Sequence, residues 1–220
     1  MIQILLDKDG KAIFKDGKVI SVNSSPTPSI PTTLGSRIDN KATVVGVLQD
    51  HEGNDYVLAV VDAVYRSGEA MAWSSQIIDT PLQNNADSTA ALADHHTGKF
   101  NTDLILSTYT ATDYPAFNFA RNACTVTIGN NTYYSVLPNL IELKLLYNNK
   151  SVLDQYDPTS STYTDRSMSE FKCNGSYGLL SSTVKNSASA YFIYYFGDVD
   201  SSVKFGTGCG VCPVICIPLS

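Results

Sequence analysis

Apolar and polar positions change rhythm several times along this chain, and each change marks an element. Near the start Ile2, Ile4 and Leu6 alternate, and Ala12-Ile13-Phe14 and Val19-Ile20 follow across Asp9-Gly10 and Asp16-Gly17. Asp-Gly pairs tolerate the positive φ of tight turns, so residues 1–22 predict a small β hairpin unit. Such a hairpin buries too little surface to stand alone and needs a partner to pack on. Its anchoring candidates are Ile4, Leu6, Phe14 and Ile20. Residues 23–36 then place three prolines among Ser and Thr. Proline removes amide donors and fixes φ, which predicts an extended linker.

The main domain is expected over residues 37–220. Lys41 to Leu48 and Asn54 to Tyr65 read as strands around a His51-Glu52-Gly53-Asn54 turn. Short helices are expected at Ala86 to Ala93, Asn101 to Ser107 and Tyr114 to Cys124, the last with Phe117, Ala120 and Cys124 on one face. Thr125 to Ile128 and Thr132 to Val136 read as strand, turn and strand. Asn139 to Asn148 carries the strongest helix signal. Asn139 is placed to cap it, Glu142 stands where a capping box needs an acid, and Leu140, Leu143 and Leu146 or Tyr147 form its buried stripe. Residues 154–176 read as irregular, and Ala188 to Phe196, Ser202 to Phe205 and Val211 to Ile217 as closing strands. Short helices between β segments make the class α+β.

Composition narrows the function classes. Only 16% of the 220 residues are charged and the formal net charge is −6, where roughly 25% charged is usual. With no basic block, nucleic acid is not an expected partner, because phosphate neutralisation needs clustered cations. No apolar run approaches the roughly 20 residues of a membrane span. The start has no basic n-region, so no secretory signal is expected.

The loudest chemical motif is Cys209-Gly-Val-Cys212-Pro-Val-Ile-Cys216. Such spacing suits a zinc or iron–sulfur site. It equally suits a core strand, with Cys212, Val214 and Cys216 on one face and Val211, Ile215 and Ile217 on the other. The strand reading is preferred, with reduced thiols, no metal and no cofactor. His95-His96 is a weak ligand pair, because adjacent side chains do not converge on one ion. Asp198-x-Asp200 lacks the Gly and Glu of a calcium loop. With no hydrolase elbow, phosphate loop or zinc-protease helix, no catalytic residue is expected. The 13 tyrosines point instead to recognition. Tyr combines a rigid apolar ring with a polar tip at low entropic cost. Tyr163, Tyr177, Tyr191, Tyr194 and Lys204 are the ligand-binding candidates, and core filling is the competing account of the tyrosines.

The order of motifs also carries a resemblance. Gly98-Lys-Phe-Asn101-Thr102 precedes Tyr134-Ser-Val-Leu137-Pro138 and Glu142-Leu143; Leu180-Ser181-Ser182-Thr183, Ala190-Tyr191-Phe192-Ile193, Gly197, Lys204 and Cys212-Pro213-Val214 follow. Over residues 73–218 this resembles the C-terminal domain of collagen-like bacterial adhesins, found in gut bacteria and their phages. The departures are Tyr134-Ser135 where that family has Trp before Leu-Pro, Leu180 for the Trp of Trp-Ser-Ser, and Cys212 for the Arg before Pro-Val. The resemblance implies a C-type-lectin-like fold, binding of surface glycans or proteins, and a homotrimer. With the hairpin and linker, it leads to the expectation of a phage virion surface protein, a head or tail fibre. The N-terminal segment would dock on a capsid or tail protein, and the knob on the host surface. A bacterial cell-surface adhesin is the alternative location, and a metalloprotein using the C-terminal cysteines the alternative class.

Overall fold

The structure, a computed structural model, describes residues 5–6, 12–13, 29–62, 69–77, 79–153, 172–173, 176–194, 197–204 and 209–219. It is α+β, with short helices set between curled, mainly antiparallel sheets. Near the start β1 (Leu5–Leu6) pairs antiparallel with β2 (Ala12–Ile13), as the first Asp-Gly turn predicts. Of the anchoring candidates, Ile4, Phe14 and Ile20 lie outside the described residues, and only the strand position of Leu6 is described.

One sheet runs β14-β5-β4-β3, from β3 (Arg37–Ile38), β4 (Ala42–Gln49), β5 (Asp55–Val61) and β14 (Val214–Pro218). Both its faces are covered, which explains why β5 reads as a continuous apolar run rather than an alternation. Tyr56, Leu58 and Val60 join Val214 and Cys216 in one core, while Val57, Ala59 and Val61 join Ile215 and Ile217 in another. The two-faced reading of the C-terminal cysteines therefore holds for β14.

The second sheet runs β12-β11-β10-β13-β6, with β9 (Lys172–Cys173) on β10. Its strands are β6 (Glu69–Met71), β10 (Ser176–Asn186), β11 (Ser189–Tyr194), β12 (Val199–Val203) and β13 (Cys209–Val211). The expected single strand from Val211 to Ile217 is thus two strands in two sheets. Pro213, which has no N–H for a ladder, stands at the break, and its carbonyl accepts from Val61 N at 3.1 Å. The expectation of reduced thiols also fails at one position: Cys209 is disulfide-bonded, whereas Cys124, Cys212 and Cys216 are free.

Helices α1 (Ser88–Leu92), α2 (Gly98–Thr108), α3 (Pro115–Ala123) and α4 (Leu140–Asn148) pack around these sheets. Thr97 caps α2 by accepting from Phe100 N at 3.0 Å. Pro115 opens α3, where its missing N–H loses nothing. The hairpin of β7 (Thr125–Ile128) and β8 (Asn131–Tyr134) turns at Gly129, whose φ is 60°. In α4, Leu140, Leu143 and Leu146 are all buried, as their spacing predicts.

Strand β10 was hidden in the sequence, because Ser181, Ser182 and Thr183 break its apolar pattern. All three are buried, and neighbouring elements satisfy them. Asn101 Nδ2 donates to Ser182 Oγ at 3.0 Å, Leu140 N to Thr183 Oγ1 at 2.9 Å, and Trp73 Nε1 to Ser181 O at 3.0 Å. Thr183 thereby supplies an acceptor to the orphan N–H groups at the start of α4.

Candidate functional site

The site begins with the carboxyl that holds its supporting helix. Glu142 completes the capping box of α4: Asn139 N donates to its Oε2 at 2.8 Å, and Glu142 N donates to Asn139 Oδ1 at 2.8 Å. The same carboxyl accepts Gly98 N at 3.1 and 3.2 Å, Tyr56 Oη at 2.8 Å and Cys216 Sγ at 3.5 Å. One fully buried side chain thus ties together the starts of α2 and α4, strand β5 and strand β14. Burial pushes its carboxyl above the ordinary range against these hydrogen bonds, and burial likewise pushes the Tyr56 hydroxyl and the Cys216 thiol up. A thiol so raised is a poor nucleophile, so this cluster reads as a joint.

Fixed in this way, α2 presents Lys99, Phe100 and Asp103 to two adjoining clefts. The first, about 280 Å³, is lined by Lys99, Asp103, Arg121, Thr132, Tyr133 and Tyr134, with Val136 and Cys216 deeper in. The second, about 470 Å³, shares Lys99 and Asp103 and adds the hairpin tip Asp50-His51-Glu52 together with Phe100 and Ser107. Asp103 is the pivot: Lys99 Nζ donates to its Oδ2 at 2.6 Å, and Arg121 Nη2 donates to Oδ1. Burial opposes its ionisation, but the bonds and charges of Lys99 and Arg121 outweigh that and hold its carboxyl below the usual range. Arg121 Nε–H, shut from solvent, has no hydrogen-bond partner among the described residues.

Aromatic groups flank this ion cluster. His51 stacks on His96 with centroids 4.6 Å apart, and Phe100 lies 4.8 Å from His96. His96 is held through Nδ1 to Asp94 Oδ1 at 2.7 Å. Phe100 is 40% exposed and Tyr134 54%, among the most exposed large apolar side chains described. Exposed aromatic faces thus stand beside a fixed cluster of charges.

The residues singled out from sequence lie elsewhere and do not form one surface. Tyr191 is a correction. It is buried beside Ala91 and Leu140, and its hydroxyl donates to Asn85 O at 2.9 Å. Lys204 is a second correction. It is 1% exposed, with Nζ 4.6 Å above the Trp73 ring and no hydrogen-bond partner among the described residues. Burial lowers its ammonium from 10.5 to about 8. Tyr194 is half-buried on β11, three positions from Tyr191 and so on the opposite face; its ring meets Phe192 at 4.8 Å. Tyr163 lies outside the described residues, and of Tyr177 only its place in β10 is described. The metal reading loses Cys209 to its disulfide, and among the described residues no group of three or more His, Cys, Asp or Glu gathers to hold an ion.

What the sequence reading missed was Lys99, Asp103, Arg121 and Tyr134. The available signals were the i, i+4 pair Lys99–Asp103 and the two tyrosines closing a hairpin. Comparison with protein-family models, curated proteins and solved structures gives no match to this chain.

Proposed function

We propose that this chain is a surface-recognition protein of a phage particle, a head or tail fibre with a C-type-lectin-like knob that binds the host surface. One observation carries the reading. Several of the residues that carry the adhesin resemblance pack against one another around α2, although scattered along the sequence. Gly98 meets Glu142, Asn101 meets Ser182 across 81 positions, and Thr102 Oγ1 accepts from Leu137 N at 3.2 Å. The exposed aromatic and charged residues over α2 supply a surface for recognition, and the neutral polar composition suits adhesion. In this proposal the N-terminal segment docks on a capsid or tail protein, the chain assembles as a trimer, and affinity comes from many modest contacts multiplied by copy number.

The test uses an antibody raised against the full chain. It is expected to label purified particles in electron micrographs and to block their adsorption to host cells. Unlabelled particles overturn the virion assignment, and labelled particles with unimpaired adsorption overturn receptor binding. A native mass spectrum of the full chain checks the trimer.

A further inference from the structure

We infer that the paired clefts over α2 bind an acidic saccharide, its carboxylate seated at Lys99 and Arg121 and its neighbouring ring unit on the Phe100 side. The inference rests on the host-surface reading above and names the chemistry of the ligand.

Charge and shape carry it. In the smaller cleft two cations, Lys99 and Arg121, share one carboxylate, Asp103. That cleft therefore has a positive excess, and an incoming carboxylate finds charge-assisted donors there. Its volume of about 280 Å³ suits one ring unit rather than a folded partner. Tyr134, 54% exposed, offers the rim an aromatic face on which the C–H side of a ring can lie.

The larger cleft has the opposite polarity. Asp50, Glu52 and Asp103 stand there against Lys99, with Thr97 and Ser107 beside them. Carboxylate and hydroxyl oxygens accept from hydroxyl donors, and the Phe100 and His51 rings provide a second aromatic face. Together the clefts ask for a carboxylate at one end, hydroxyl donors at the other and ring faces along the length. An acidic sugar followed by a further sugar meets all three. A peptide ending in a carboxylate meets the first but brings few hydroxyl donors for the acidic cleft.

The experiment is calorimetric titration of the full chain with an aldobiuronic acid, one uronate linked to one neutral sugar, its carboxyl-reduced neutral counterpart, and a short peptide with a free C-terminal carboxylate. The aldobiuronic acid is expected to bind at least about tenfold more tightly than either control. Arg121→Gln and Tyr134→Ala should each weaken it about tenfold or more. Tyr134→Ala, at an exposed position, should leave thermal unfolding unchanged, which separates loss of binding from loss of fold. Equal binding of acidic and neutral sugars, tighter binding of the peptide, no binding, or wild-type affinity in both variants overturns the inference. The same variants are then tested for blocking particle adsorption as free protein. Undiminished blocking without aldobiuronic acid binding rejects the cleft and leaves the host-surface reading standing. Failure of the wild-type chain to block rejects that reading.

Discussion

Glu142 and Lys204 are both shut out of solvent, and the protein solvates them in opposite ways. Around Glu142 four donors from separate segments converge: Asn139 N, Gly98 N, Tyr56 Oη and Cys216 Sγ. Among the described residues Lys204 Nζ has no hydrogen-bond partner; it rests on the Trp73 ring, with the charge of Asp79 as a weaker attraction. Burial shifts each toward its neutral form. The difference lies in what each shift does for the fold. Glu142's donors belong to elements that must be held in place, so its desolvation is offset by fixing four of them together. A cation–π contact contributes only about 1–2 kcal/mol, which leaves much of the desolvation of Lys204 uncompensated. Glu142 is thus a joint, and Lys204 a local weakness in a well-packed core.

The sharpest way to break this contrast is Glu142→Ala. It strands buried donors on two helix starts and a strand, with an expected loss of about 3–5 kcal/mol in urea unfolding. A loss below about 1 kcal/mol would show that the joint is redundant. Gly98→Ala attacks the same junction from the other side. A Cβ there would collide with Leu137 O and stand 2.6 Å from Glu142 Oε2. The expected loss is about 1–3 kcal/mol, and a neutral effect would mean that α2 can shift away from the carboxyl at little cost.

Lys204→Met is the converse. Met keeps the length of the side chain over Trp73 and removes the ammonium, so stability at pH 7 is expected to rise by about 1–2 kcal/mol. The pH dependence gives the sign. The folded-state value of about 8 lies below the ordinary 10.5, so between these limits the unfolded chain holds the proton and the folded chain does not. Wild-type stability should therefore rise from pH 8 toward 10.5, and the advantage of Met should shrink over the same window. An advantage independent of pH would assign the gain to packing alone.

How much was legible in the sequence follows the same division. The α4 capping box and its leucine stripe could be read because they are local, set by spacing within one element. Strand β10 could not, since Ser181, Ser182 and Thr183 look like loop residues until Asn101, Leu140 and Trp73 arrive to satisfy them. Tyrosines in the C-terminal third drew attention as surface groups, yet alternation along β11 turns Tyr191 into the core. The clefts assemble from α2, α3, the β4–β5 turn and the β7–β8 hairpin. Their residues are far apart in sequence and carry no shared motif, so only the tertiary arrangement reveals them.

The smallest expected change in stability tests that surface most cleanly. Tyr134 is 54% exposed and lies at the end of β8, paired with Thr125 across the hairpin. Truncating it to Ala removes no buried contact of consequence, so unfolding should move by less than about 0.5 kcal/mol. The same change removes the aromatic rim beside Lys99, Asp103 and Arg121, where a bound ring needs a face to lie on. Loss of aldobiuronic acid binding at unchanged stability would place recognition in the side chains that α2 and the hairpin display, apart from the framework that Glu142 holds. A Tyr134→Ala chain that loses stability as much as Gly98→Ala would erase the distinction, because the hairpin would then belong to the framework itself.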